Sequence, residues 1–181
     1  MEFDLIIKLE EAVRERRTGK GPRIYLVDEK TVGKRCWGDI AAHNDFHIGN
    51  FLFERGVQVP EMYQLIKVEG IDNFLEDNGL SNWFILMQRI NGATVNELSA
   101  EQKEYVLHQY RREITKVLSF GIFPFDSYQG YESCLPQNAL FDISVQKLYL
   151  VDFEFWHPGT ASEMEECRNN LDKFYQECVW K

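Results

Sequence analysis

The sequence predicts an α+β fold in two lobes: a small sheet-rich lobe over residues 1–90, then a more helical lobe over 91–181. Three observations carry that expectation. The chain is 44% apolar and 14% aromatic, enough to build a substantial core from 181 residues. Short apolar runs between turn residues crowd the first half, whereas the second half holds two long amphipathic stretches. The polar segment Gln88-Arg-Ile-Asn-Gly92 lies between the two patterns and reads as a hinge.

The elements follow in order. Residues 3–17 place Leu5, Leu9, Ala12 and Val13 on one helical face, and Thr18-Gly19-Lys20-Gly21-Pro22 breaks that helix. Strands are expected over 23–27 and 31–36, joined by the turn Asp28-Glu29-Lys30. A helix over 39–55 should end at Gly56, which accepts a left-handed cap. Residues 57–68 contain a strand led by Pro60, 70–82 read as a loop, and 83–89 (WFILMQR) read as a buried strand. Ser99 with Glu101 and Gln102 signals the start of a helix to about Ser119, with Val106, Tyr110, Ile114, Val117 and Leu118 on its apolar face. After a loop over 121–137 come strands at 139–142 and 147–151 and a last helix at 162–179. Glu163-Met-Glu-Glu166 suits the positive end of that helix.

Composition narrows the function. A net charge of −9 argues against a nucleic-acid backbone as partner, which would select clustered Lys and Arg. A phosphorylated small ligand needs only a few local cations. Cys36, Cys134, Cys167 and Cys178 form no Cys-x-x-Cys pair and read as reduced thiols of a cytoplasmic protein. Met1-Glu2-Phe3-Asp4 is acidic where a signal peptide is basic, and no apolar run is long enough to span a bilayer. A soluble protein is expected.

The chemistry gathers in the second half. Asn138 opens a hairpin and Asp152 closes it, two oxygen ligands that can share a Mg²⁺ together with phosphate and water. Taken singly, each is also an ordinary turn or cap residue. Leu150-Val-Asp152-Phe-Glu154 resembles the metal-binding Asp-Phe-Gly of protein kinases, and more closely the Asp-Phe-Glu of choline-kinase-like enzymes. Gly121-Ile-Phe-Pro-Phe-Asp126 resembles the Gly-Ile-Val-His-Gly-Asp segment of small atypical kinases, with Pro124 in place of His. That alignment implies Asp126 as the catalytic aspartate, with an insertion over Ser127–Ser133 before Asn138.

The first half agrees. Thr31-Val-Gly-Lys34 resembles the strand whose Lys holds ATP phosphates. Counting back from Gly56-Val-Gln-Val-Pro60, Asp45 stands where the family carries the Glu that pairs with that Lys. Asp is one methylene shorter, so the ion pair is expected to be strained or absent unless the helix moves inward; Glu54 and Asp39 are rival partners. Phe84-Ile-Leu-Met87-Gln-Arg-Ile90-Asn-Gly92 resembles the strand-to-hinge segment, which implies Met87 as gatekeeper and the backbone of Gln88 and Ile90 against adenine. Ahead of the first strand stands a single Gly-x-Gly, Gly19-Lys20-Gly21.

Together these segments resemble the protein-kinase-like superfamily, nearest the RIO-like and KEOPS-type kinases, over roughly residues 23–156. The resemblance implies a small N-lobe sheet and a truncated helical C-lobe. It also implies ATP and Mg²⁺ as cofactors and phosphoryl transfer to an unidentified hydroxyl, on a small molecule or a protein. The alternative is a pseudokinase, a nucleotide-binding or scaffold module with a protein partner and no turnover. Pro124, the insertion, the short Asp45 and the single Gly-x-Gly favour that alternative; Lys34, Asn138 and Asp152 favour the enzyme. His43 and His47 share a helical face but lack a third ligand, and Phe120, Phe123, Phe125, Tyr128 and Tyr131 read as packing.

Overall fold

The structure, a computed structural model, describes residues 2–16, 23–70, 80–125 and 138–179. Its first sheet has four antiparallel strands, β1 (Ile24–Leu26), β2 (Thr31–Arg35), β3 (Met62–Lys67) and β4 (Trp83–Gln88), in the order β1-β2-β4-β3. Strand β4 is central and buried on both faces, which is why it reads as an unbroken apolar run rather than an alternating one. Its side chains still alternate in direction. Phe84 and Leu86 pack with Leu9, Ala12 and Val13 of helix α1 (Glu2–Arg14), whereas Ile85 and Met87 belong to the cluster that includes Ile48 and Leu52 of helix α2 (Asp39–Glu54). Two helices therefore sandwich the sheet.

Helix α2 stops as expected. Gly56 takes φ +71°, its N–H donates to Phe53 O (3.0 Å), and the Val57 N–H donates to Leu52 O (3.1 Å). That pair of bonds satisfies carbonyls left over at the helix end and needs a residue without a Cβ penalty at the turn. The chain then reaches β3 later than the sequence suggests, because 57–61 form a connection without regular secondary structure.

The second lobe is built on helix α3 (Ala100–Ser119), started by a capping box in which Ser99 and Gln102 exchange hydrogen bonds. Helix α4 (Ala161–Val179) packs beside it and opens with the same device, Glu163 bonding Thr160. All five residues assigned to the apolar face of α3 are buried. Two polar neighbours are buried with them. Gln109 accepts from the Leu148 N–H (2.9 Å) and donates to Gln146 O (3.0 Å), while Glu113 accepts from the Gln58 N–H (3.0 Å). The Gln109 bonds seat the hairpin of β7 (Ala139–Asp142) and β8 (Lys147–Leu150) on α3, and the Glu113 bond holds the connection that follows α2. Three two-residue strands were not apparent in the sequence: β5 (Ala93–Thr94), which pairs with β7, and β6 (Ile122–Phe123), which pairs with β9 (His157–Pro158). One buried cluster is shared by both lobes, running from Val32 and Met87 through Leu52 to Tyr110, Leu150 and Trp156. No helix among the described residues is long and apolar enough to cross a membrane.

Candidate functional site

Strand β2 presents Lys34 to the same side as Val32, beneath α2. Its side chain is only 5% exposed, and its ammonium has three carboxylate partners: Asp45 Oδ2 at 2.5 Å, Asp152 Oδ1, and Glu154 Oε1 at 3.3 Å. Burial works against the charge. The three anions outweigh that penalty and hold Lys34 protonated well above its ordinary range.

Asp152 arrives from the hairpin. The Val151 N–H donates to Asn138 O (2.9 Å), joining entry and exit of the hairpin side by side. Both Asn138 (φ +52°) and Asp152 (φ +68°) adopt left-handed backbone, which Asn and Asp tolerate better than most residues. Non-glycine residues in this region concentrate at functional sites, because the surrounding structure must over-determine them. Here helix α2 does so. Asp45 Oδ1 accepts from the Phe153 N–H (2.9 Å), and Asn44 Nδ2 lies 3.1, 3.0 and 2.6 Å from the carbonyls of Phe153, Glu154 and Trp156. Phe153 is buried edge-on against Trp156.

Asp45 reaches Lys34 because α2 sits inward, the condition on which that pair was expected to form. Gly49 lies one turn beyond Asp45 on the same face. A Cβ there would meet Met62 Cε at 2.5 Å and Cγ at 3.0 Å, with Phe153 Cδ2 at 3.4 Å. Glycine lets the helix sit close enough for the shorter carboxylate to reach Lys34. The rivals Asp39 and Glu54 are exposed on the same helix.

Beside this ion cluster opens a cavity of about 820 Å³. Lys34, Asp45, Asn138, Asp152 and Arg23 line its charged end, and Leu26, Val32, Met62, Leu140 and Val151 supply apolar wall. Met87, Gln88 and Ile90 line it too. The Gln88 N–H donates to Glu61 O and the Arg89 N–H to Lys30 O, both at 2.8 Å, which pins the connection between the sheets. The structure thus brings together Lys34, Asp45, Met87, Gln88, Ile90, Asn138 and Asp152. Asp126, the Gly19–Gly21 pair and the segment 127–133 lie outside the described residues.

Three residues of the site escaped the sequence reading. Glu154, whose side chain is fully buried, accepts from Arg23 Nη1 at 2.7 and 2.9 Å, and Arg23 Nη2 donates to Asp152 Oδ2 at 3.0 Å. Asn44 is the third. No sequence signal marks Arg23 or Asn44; Glu154 stood within the quoted motif without a role. Burial and the nearby Asp152 push the Glu154 carboxyl upward, against the pull of Lys34 and Arg23. Cys36, Asp45 and Glu154 place ligand atoms within 4.8 Å of one another. They make a poor metal centre, because burial and Asp45 keep the Cys36 thiol protonated and Lys34 already bridges the two carboxylates. His43 and His47 stack at 6.0 Å, exposed, with Trp83 against His43.

No protein-family model matches the chain, and no curated protein does. Solved structures do match. The Rio2 kinase-ADP/Mg²⁺-phosphoaspartate complex from Chaetomium thermophilum aligns at TM-score 0.55 and 16% identity, over 89% of this chain and 54% of that one. The kinase PK-1 of the Cydia pomonella Granulovirus aligns at TM-score 0.50 and 13% identity, over 77% and 50%. The fold is protein-kinase-like, with an antiparallel N-lobe sheet, and the chain spans about half the length of these solved structures.

Proposed function

We propose that the chain is an ATP-dependent phosphotransferase that uses Mg²⁺ and acts on a hydroxyl of a small molecule or a protein. One observation carries the reading: Lys34 bridges Asp45 and Asp152 at the charged end of a cavity that Met87, Gln88 and Ile90 also line. The residues fit both ligands. The apolar walls suit a flat base. Asp152 and Asn138 offer hard oxygen donors, which suit Mg²⁺ better than the neighbouring thiol would. The metal, when bound, supplies charge neutralisation at the phosphates.

In this reading Lys34 orients phosphate oxygens as a point charge, and Asp45 keeps its ammonium from collapsing wholly onto Asp152. Asp152 and Asn138 hold the metal. Met87 sets the depth of the base pocket, and Asp126 accepts the proton of the acceptor hydroxyl. Catalysis of this kind is mainly positioning and electrostatic stabilisation, so loss of one metal ligand is severe.

Titration calorimetry tests the site. Mg²⁺ should strengthen ATP binding, and Asp152→Asn should abolish that Mg²⁺-dependent binding; no binding by the parent under either condition would sink the reading. A second reading, a nucleotide-binding module without turnover, draws support from the cations that engage both oxygens of Asp152. Asp126→Ala separates the two. Turnover in the parent, lost in this variant while ATP still binds, supports the enzyme.

A further inference from the structure

Arg23 is placed where a phosphate-binding side chain would stand. It immediately precedes β1, its backbone carbonyl accepts from the Arg35 N–H (2.8 Å), and its guanidinium lies 5.2 Å from the Trp37 ring centroid. From there it forks, one nitrogen on both oxygens of Glu154 and the other on Asp152 Oδ2. It also lines the cavity alongside Lys34 and Asp152.

We propose that Arg23 is the second phosphate-binding cation of this cavity, anchored on Glu154 and exchanging Asp152 for phosphate oxygens when a nucleotide binds. The inference rests on the nucleotide-binding reading above. Three steps lead to it. Both oxygens of Asp152 are engaged, Oδ1 by Lys34 and Oδ2 by Arg23, so a divalent cation arriving at this carboxylate competes with these two cations for its charge and lone pairs. Lys34 is 5% exposed and also held by Asp45, whereas Arg23 is 20% exposed on the cavity wall. Arg23 is therefore the one to move, and its two contacts to Glu154 keep it in place when it lets go of Asp152. The planar guanidinium then matches two phosphate oxygens at once, which an ammonium cannot do.

Charge points the same way. Three carboxylates, Asp45, Asp152 and Glu154, face two cations, so without Arg23 a triphosphate would meet three anions and Lys34 alone.

The test compares the full chain with Arg23→Gln and Arg23→Lys by titration calorimetry, using Mg-ATP, adenosine and MgCl₂ alone as probes. Arg23→Gln should bind Mg-ATP about 10- to 100-fold more weakly, the range for losing hydrogen bonds to a charged group. It should bind adenosine unchanged and MgCl₂ more tightly, because Asp152 Oδ2 is released. Arg23→Lys, which keeps the charge and loses the fork, should fall between and decides the matter if the Gln variant does not fold. Equal Mg-ATP affinity in parent and variant, or an equal loss for adenosine and Mg-ATP, would overturn the role of Arg23 and leave the nucleotide site standing. A parent that binds neither adenosine nor Mg-ATP would remove both.

Discussion

Lys34 and Asp152 touch, but they are not equivalent. Lys34 neutralises Asp45 and Glu154, whose side chains are 1% and 0% exposed, whereas Asp152 is 26% exposed and shares its charge with solvent. Lys34→Met leaves two buried carboxylates with Arg23 alone and should cost about 3–5 kcal/mol, read by denaturant unfolding. Asp152→Asn keeps a side chain that tolerates φ +68° and should stay within about 1 kcal/mol of the parent. The two substitutions should therefore separate: the first unfolds the site, the second disarms it. At this scale the sequence identified individual residues better than their contacts. Lys34, Asp152 and Asn138 sit in segments with a recognisable pattern. Arg23 and Asn44 carry no pattern, since their value comes from what chain folding brings against them 109 or more positions away.

Among the elements, those with a stop signal or a cap were read closely from sequence. Gly56 ends α2 and Ser99 starts α3 because each meets a local hydrogen-bonding need that neighbouring residues announce. The two-residue strands β5, β6 and β9 have no such signal, because a partner strand and not their own composition makes them strands. The inward seat of α2 falls between these cases, since Gly49 reads as a weak point of a helix until Met62 and Phe153 are placed against it. Gly49→Ala gains helix propensity and meets Met62, so its net cost should be only roughly 0–2 kcal/mol. Its larger effect should fall on Mg-ATP, which should bind more weakly as α2 moves outward and Asp45 leaves Lys34. Unchanged affinity would show that the helix position is not set at Gly49.

For the molecule as a whole, the fold was foreseen from the order of its segments, while Asp126 lies outside the described residues and its role stands on sequence alone. Net charge adds an expectation that no single residue carries. A chain of charge −9, with Asp45 and Asp152 lining its cavity and Glu154 buried behind them, should repel free ATP. Without Mg²⁺, ATP should bind weakly, and its affinity should rise with added salt, because screening removes repulsion between like charges. With Mg²⁺ present, saturating ATP should raise the unfolding temperature, by linkage amounting to about 2.7 kcal/mol at a hundredfold excess over the dissociation constant. Both effects can be read from thermal melts over a salt series.

Beside the contacts of Asn44, helix α2 holds the Asp-Phe-Glu turn through one backbone proton. The Phe153 amide points at Asp45 Oδ1, and the other oxygen of the same carboxylate holds Lys34. Because Phe153 is buried, that proton can trade places with solvent deuterium only when Asp45 draws back. The amide is consequently a native clock for the seating of α2. Its exchange should slow when Mg-ATP binds and quicken in Gly49→Ala, giving the position of a helix as the rate of one resonance.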